Sequence, residues 1–507
     1  MLLSPTSLTI LVGMVACNTA AAADTSVAWK TCEVIASSVS SESAVYYGGV
    51  EYNDDIHHWA SSSTQLATCS FEPATIQDVD IALQIIGENR CPFAVKGGGH
   101  TANPGFSSTT GVQVAMTRFS EVTYDSASQT AVVGTGLIWD DVYSALEPYG
   151  VNVVGGRITG VGVAGLTLGG GYSWLSNEHG LTIDNVEAFE LVMPNGKAVN
   201  VTQSSYQDLF YALKGGLNNF GIVTRFTLKT FPQGQVWGGT ITYPNTSAVQ
   251  ITAAIADFVE NCSDPKAGML SAYEYSAGVP LVLSIVFYND PTPPMGIFEK
   301  FLSIPFSTKD VSTRSFLSLV RSAPSNSTDG LRGIFNMISV TGFPIELLQS
   351  EADEASVSLL IPFDIESTRQ LTFVTQYWGK ELAPLSGVLL SYSVEPFLPT
   401  IFSHNTSPSA YPGSRDYSVS PIRIYFAWTL SSSDELMQNA IRTSAAKLFN
   451  KALELGQDIE NAPLYPNDAI FDTPLERMYG DNVHSLRAIR RSVDPDDVMG
   501  LAGGFKF

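Results

Sequence analysis

The sequence predicts an α+β fold: a two-lobed domain of mixed α/β subdomains, followed by a domain with an antiparallel sheet flanked by helices. Three observations carry this. From Pro73 to Pro232, short β-branched runs alternate with helix-like segments and dense glycine, without regular βαβ repeats. After Phe231-Pro232 the strands lengthen, and amphipathic helices stand between them. Two glycine runs, Gly97-Gly98-Gly99 and Gly169-Gly170-Gly171, interrupt the first region, and both demand close backbone approach to something.

In chain order, Pro92–Val95 reads as a short strand running into the first glycine turn, and Ala131–Val133 as another. Ile138, Val142, Tyr143 and Leu146 fall on one helical face, ended near Gly150. Val186–Met193 and Lys197–Thr202 flank Pro194-Asn195-Gly196, a hairpin signal. Asp208–Leu213 reads as helix and Gly221–Lys229 as strand. Beyond them Trp237–Tyr243, Leu281–Tyr288, Val388–Val394 and Ile422–Leu430 read as strands, and Ala248–Val259 as an amphipathic helix. The tail from about Gly456 is rich in turns and is expected to fold back on the first domain. The expected division is 1–23 leader, 24–232 first domain, 233–455 second domain and 456–507 returning segment.

With 27 basic against 49 acidic residues, the formal charge is -22. That argues against nucleic acid and an anionic membrane as partners. The apolar run Leu8–Ala16, followed by Ala21-Ala22-Ala23, is too short to span a bilayer and reads as a cleaved secretory leader, with an uncleaved anchor as the alternative. Five Asn-x-Ser/Thr acceptors, at Asn200, Asn245, Asn261, Asn326 and Asn405, agree with a secreted or lumenal protein. Loss of the leader removes Cys17 and leaves Cys32, Cys69, Cys91 and Cys262, which permit three pairings. No histidine or cysteine spacing suits a metal, so no metal site is expected.

Gly160-Val161-Gly162-Val163-Ala164-Gly165 matches G-x-G-x-x-G, yet the context is wrong for a dinucleotide fingerprint. Another glycine triplet follows directly, so no ordinary helix is expected to start there. Glycine at 155, 156, 160, 162, 165, 169, 170 and 171 instead implies close contact with something flat or anionic. Val95-Lys96-Gly97-Gly98-Gly99-His100-Thr101 offers backbone amides and ends in an imidazole. The two clusters together point to a flavin nucleotide, held covalently by His100.

At these motifs the chain resembles flavoproteins of the p-cresol methylhydroxylase and vanillyl-alcohol oxidase superfamily, in the berberine-bridge-enzyme-like branch common in fungi. The resemblance rests on Pro92–His100, Gly169–Leu175, Gly180 with Asp184-Asn185-Val186, Lys214–Thr224, Tyr465-Pro466-Asn467, Asp494-Pro495-Asp496 and Gly503–Lys506. It implies that the first domain binds FAD, with a histidyl bond from His100 to the flavin 8-methyl carbon. Relatives with a second tether carry cysteine where Ile158 stands, and often histidine where Leu166 stands, so FAD linked through His100 only is expected. The implied cofactor-binding set is Lys96, Gly97, Gly98, Gly99, His100, Thr101, Val161, Gly165, Gly170, Gly171, Tyr172, Asp184, Asn185, Val186, Gly221, Ile222, Val223 and Asn467.

Val161 matches the position that gates oxygen, which fits an oxidase. Tyr465 matches the catalytic tyrosine of a Tyr-x-Asn-Tyr segment, with Asp468 in place of the second tyrosine. It would serve as base if a neighbour lowers its pKa, with Tyr392 and Tyr425 in reserve. The resemblance also pairs Cys32 with Cys91. The expected activity is oxidation of a small hydrophobic alcohol, amine or phenol, such as a fungal secondary metabolite, with or without cyclisation. Dioxygen would be the acceptor and hydrogen peroxide the product. A lactone-forming carbohydrate oxidase and a flavin-loaded cyclase or binding protein are the alternatives. A monomer is expected.

Overall fold

A computed structural model describes residues 26–323, 325–355, 378–416 and 418–507, so the expected leader and Cys17 lie outside it. A helix over 26–38 leads into the first sheet. Its strands are β1 (Ala44–Tyr46), β2 (Cys69–Glu72), β3 (Phe93–Lys96) and β4 (Val112–Ala115), in the order β1-β2-β4-β3. β2, β4 and β3 run parallel, and the Ile76–Asn89 helix makes the crossover from β2 to β3. Thr75 caps that helix by accepting from the Asp78 amide.

The second sheet is antiparallel throughout: β5 (Val122–Asp125), β6 (Thr130–Gly134), β8 (Val186–Val192), β9 (Ala198–Thr202) and β10 (Ile222–Lys229), ordered β5-β6-β10-β8-β9. The expected hairpin around Asn195-Gly196 joins β8 to β9, with Gly196 at a φ of 83°. A two-residue pair, β7 (Val151–Asn152) with β11 (Phe231–Pro232), closes this lobe.

The third sheet has seven antiparallel strands: β12 (Val236–Pro244), β13 (Ala267–Ser276), β14 (Val279–Tyr288), β15 (Thr308–Arg314), β16 (Arg332–Val340), β17 (Gly387–Val394) and β18 (Ser420–Trp428). Their order is β15-β12-β14-β13-β17-β18-β16. Strand alternation splits it into two faces. Tyr273 and Tyr392 point to one face, where they meet Thr252 of the Ala248–Asn261 helix and Ser444 of the Asp434–Glu454 helix. Their neighbours point the other way, toward the first two sheets.

The tail returns to the first lobe. Phe93 of β3 pairs with Ala502, and the Asp494 carboxylate accepts from the Val498 and Met499 amides. The turn-rich tail also holds a helix that the turn signals do not predict, Asn482–Val493.

One disulfide differs from expectation. Cys32 bonds Cys69, not Cys91. All three sulfurs lie in one buried cluster, so composition does not choose between them. Register does. Cys69 and Phe93 both pair with Val112, which puts β2 and β3 on opposite sides of β4, about 10 Å apart at ordinary strand spacing. The Cys32 and Cys69 Cα atoms stand 6.2 Å apart, within disulfide reach, and the Cys91 thiol sits 3.4 Å from the Pro92 carbonyl.

Candidate active site

Between the three sheets lies a cavity of about 610 Å³. The first glycine turn forms one wall. At Lys96 the side chain turns back, its ammonium donating to the Asp54 carbonyl at 3.0 Å, so only backbone goes forward. A Cβ on Gly98 would lie 2.5 Å from the Cα of Gly162, and one on Gly97 would lie 2.8 Å from the Thr135 carbonyl oxygen. The two glycine loops therefore touch backbone to backbone. Gly99, at a φ of 70°, swings the chain so that His100 enters the cavity.

The imidazole of His100 stacks on Trp59, with ring centroids 4.4 Å apart and planes 10° apart. Its Nε2 is buried and has no hydrogen-bond partner among the described residues. Burial, helped by the Arg423 charge, pulls its pKa down to about 4, so it is a neutral nitrogen base at neutral pH.

The second glycine loop is pinned from outside. Asp140 accepts from the Thr159 hydroxyl at 2.6 Å and the Gly160 amide at 3.1 Å, and Val163 donates to Leu137. Contrary to expectation a helix does start here, Val163–Leu168. It is only six residues long and is not preceded by a strand, so the dinucleotide fingerprint remains rejected. Gly165 within it faces open space, with nothing within 4 Å of the place a Cβ would take. Gly155 and Gly156 serve another end. A Cβ on either would run into the Trp139 indole, so their flat partner is the protein's own side chain.

The returning tail supplies Tyr465. Its phenol oxygen accepts from the Gly171 amide at 3.2 Å and from Asn467 Nδ2 at 2.8 Å. Asn467 Nδ2 also donates to the Leu166 carbonyl at 3.1 Å, and its side chain fills the space a Gly169 Cβ would need. Glycine at 169 thus makes room for Asn467, and the backbone amide at 171 holds the tyrosine. Behind it, Arg157 binds Glu395, and Arg423 binds both Glu395 (3.2 Å) and Asp468 (2.8 Å). Two cations and two carboxylates balance in a buried network. Burial, then the Asp468 charge, pushes the Tyr465 phenol up to about 12, while Asn467, Arg423 and Arg157 pull the other way. The condition set for a low-pKa base is not met; the phenol is neutral at rest.

Of the expected cofactor residues, Gly97, Gly98, Gly99, His100, Thr101, Val161, Gly165, Tyr172, Gly221, Ile222, Val223 and Asn467 line the cavity, together with Tyr465. Lys96, Gly170, Gly171, Asp184, Asn185 and Val186 do not. Asp184 is buried in an ion pair with Arg415 at 2.7 Å, and Asn185 donates to the His179 and Leu181 carbonyls, which ties the loop behind the wall. Of the reserve tyrosines, Tyr425 faces the cavity, whereas Tyr392 points to the helix face, hydrogen-bonded to Ser444.

Ile158 and Leu166 are both on the wall. Sequence reasoning missed Trp59, Arg157, Glu274, Phe335 and Arg423, all of which line it. The period-2 run Leu270, Ala272, Glu274, Ser276 could have flagged Glu274, a charge on an otherwise apolar strand face. Nothing local marks Trp59.

A family model described as an FAD binding domain matches residues 67–202. Over 476 residues the chain is 31% identical to an uncharacterized FAD-linked oxidoreductase of Arthroderma benhamiae, with 89% of each chain covered. Over 446 residues it is 32% identical to the FAD-dependent monooxygenase tpcD of Cochliobolus heterostrophus, covering 85% of this chain and 83% of that one. Among solved structures, BBE-like 1 of Physcomitrella patens shares the fold, with a TM-score of 0.72 at 19% identity, over 93% of this chain and 97% of that one.

Proposed function

We propose that this chain, which belongs to the FAD-linked oxidoreductases, is a berberine-bridge-enzyme-like member of the p-cresol methylhydroxylase and vanillyl-alcohol oxidase superfamily and a secreted oxidase of a small, largely apolar alcohol, amine or phenol. The substrate loses two electrons and two protons, and dioxygen takes them up as hydrogen peroxide. One observation carries the reading: a neutral imidazole nitrogen without a partner among the described residues and an open glycine face share a cavity with Tyr465 and an apolar strand wall.

The residues present fit FAD. His100 Nε2 lacks a partner that a tether to the ring system would supply, and Gly165 leaves room for close approach. Gly97–Thr101, Val161 and Gly221–Val223 would hold it, with His100 as the covalent residue. Ile158 and Leu166 offer no second tether. Bound FAD supplies the hydride acceptor and the route of electrons to oxygen.

The chain's own groups do the rest. In its phenolate form Tyr465 takes the substrate proton and becomes the neutral phenol, and the Gly171 amide and Asn467 donate to that oxygen and stabilise the phenolate before the transfer. Arg423 and Arg157 add positive charge nearby, against burial and Asp468. Trp59 holds the His100 ring in plane. The Cys32–Cys69 disulfide agrees with passage through an oxidising compartment.

The test begins with the absorption spectrum of the purified protein before and after acid precipitation, repeated on His100→Ala. Yellow colour kept in the wild-type pellet and released from the variant supports the tether. Colourless protein after reconstitution with FAD overturns the oxidase reading. Once a substrate is found, peroxide should equal product; labelled oxygen entering the product would make the protein an oxygen-inserting enzyme instead.

A further inference from the structure

Glu274 stands apart from every other charged group of the cavity. Register places Leu281, Glu274, Ser391 and Tyr425 side by side on β14, β13, β17 and β18, all facing in. One row along, Leu283, Ala272, Ser393 and Arg423 do the same. Glu274 is therefore two strands, about 10 Å, from Tyr425 and further still from Arg423. Tyr425 in turn packs against Trp59, with centroids 5.1 Å apart, at the His100 end. The other end is mostly leucine and alanine, with the hydroxyls of Thr242 and Ser276 and the Glu274 carboxyl set among them.

Its single hydrogen-bond partner among the described residues is the Ser391 hydroxyl, at 3.2 Å. No lysine or arginine of the described residues reaches it, and burial lifts its carboxyl to about 7. The cavity's other carboxylate, Asp468, is paired with Arg423, and Glu395 behind the wall is paired with Arg157. A structural carboxyl would be expected to find such a cation, since desolvating one without it is costly. Sheet packing would be better served by the leucine found at positions 270, 281 and 283. What Glu274 lacks is a hydrogen-bond donor entering from the cavity.

We propose that Glu274 is a specificity-determining residue that accepts a hydrogen bond from a hydroxyl or ammonium group on an otherwise apolar substrate, at the end remote from His100. This deepens the oxidase reading and rests on it. The substrate class is then an apolar skeleton with one polar donor about 10 Å from the Tyr425 end of the cavity.

Flavin-loaded protein is titrated above pH 8, where Glu274 is ionised, with naphthalene, 2-naphthol and 2-naphthylmethylamine by calorimetry and by the change in flavin absorbance. Wild type should bind both donors at least about tenfold more tightly than naphthalene, one well-made hydrogen bond to a charged group being enough for that ratio. Glu274→Leu should bring both donors to the level of naphthalene. Glu274→Gln, which keeps the shape, should retain the preference for naphthol and lose that for the amine if the carboxylate charge selects ammonium. It should weaken naphthol instead if the hydroxyl is the recognised group. Two donors binding wild type no better than naphthalene, or Glu274→Leu keeping their advantage, overturns the proposal. Failure of the oxidase reading looks different: flavin-loaded protein that keeps the donor preference yet releases no peroxide with any bound donor.

Discussion

Replacing Gly98 by alanine should damage the fold, whereas the same change at Gly165 should spare the fold and damage flavin loading. The Gly98 methyl would sit 2.5 Å from the Gly162 Cα and 2.7 Å from its nitrogen, both backbone atoms that cannot rotate away. Carbon atoms settle at about 3.5–4.0 Å, so the two loops must part by about 1 Å. Overpacking of this kind costs about 1–3 kcal/mol, and at about 2–4 °C per kcal/mol the melting temperature falls by about 2–12 °C.

At Gly165 nothing lies within 4 Å, and the residue is helical, so alanine adds up to about 1 kcal/mol of helix propensity in flavin-free protein. Its methyl points into the space that FAD would use, and flavin content should fall at least about tenfold, since 1.4 kcal/mol of lost contact suffices. The assay pairs thermal melts of flavin-free protein, each glycine change being placed on a His100→Ala background, with the 450/280 nm absorbance ratio of protein that keeps His100, as purified. Gly98→Ala melting with its His100→Ala parent would refute the loop contact. Gly165→Ala carrying full flavin would refute the cradle.

Tyr465→Phe should keep its flavin but lose about 10²–10⁴-fold in the reduction rate under anaerobic conditions. In wild type that rate should still be climbing at pH 10, as a phenol near 12 requires; a plateau by pH 8 would assign the base elsewhere. Because folded Glu274 holds its proton up to about pH 7, against 4.5 for an ordinary glutamate, the folded state binds more protons than the unfolded between those values. Wild type therefore loses stability as pH rises through that window. Glu274→Gln should gain on it by up to about 3 kcal/mol, reached above pH 7 and readable from melts at pH 4.5 and 7.5. Unreduced peptide mapping should find Cys32 joined to Cys69, and Cys69→Ser should cost about 2–4 kcal/mol while Cys91→Ser leaves the bridge in place.

What could be read along the chain was whatever depends on near neighbours. Alternation and turn chemistry located β8, β9, β10, β12, β14, β17 and β18 within a few residues, because strand period and Asn-Gly turns are local properties. Glycine density and the His100 turn marked the cofactor lobe for the same reason: backbone freedom is written residue by residue. Long-range choices were not legible. Cys32 selected Cys69 over Cys91 because β4 stands between them, a consequence of strand order.

The glycines at 155 and 156 met Trp139, not a ligand, and Arg157 met Glu395 across 238 positions of chain. Tyr465 received its two N–H donors and its raised pKa only when the tail returned beside Gly171. Residue order thus specified which elements form and that a flavin bed exists among them. Which side chains share the cavity, and in what state of charge, was set when the three sheets closed on one another, because burial and Coulomb interaction depend on distance in space and not along the chain.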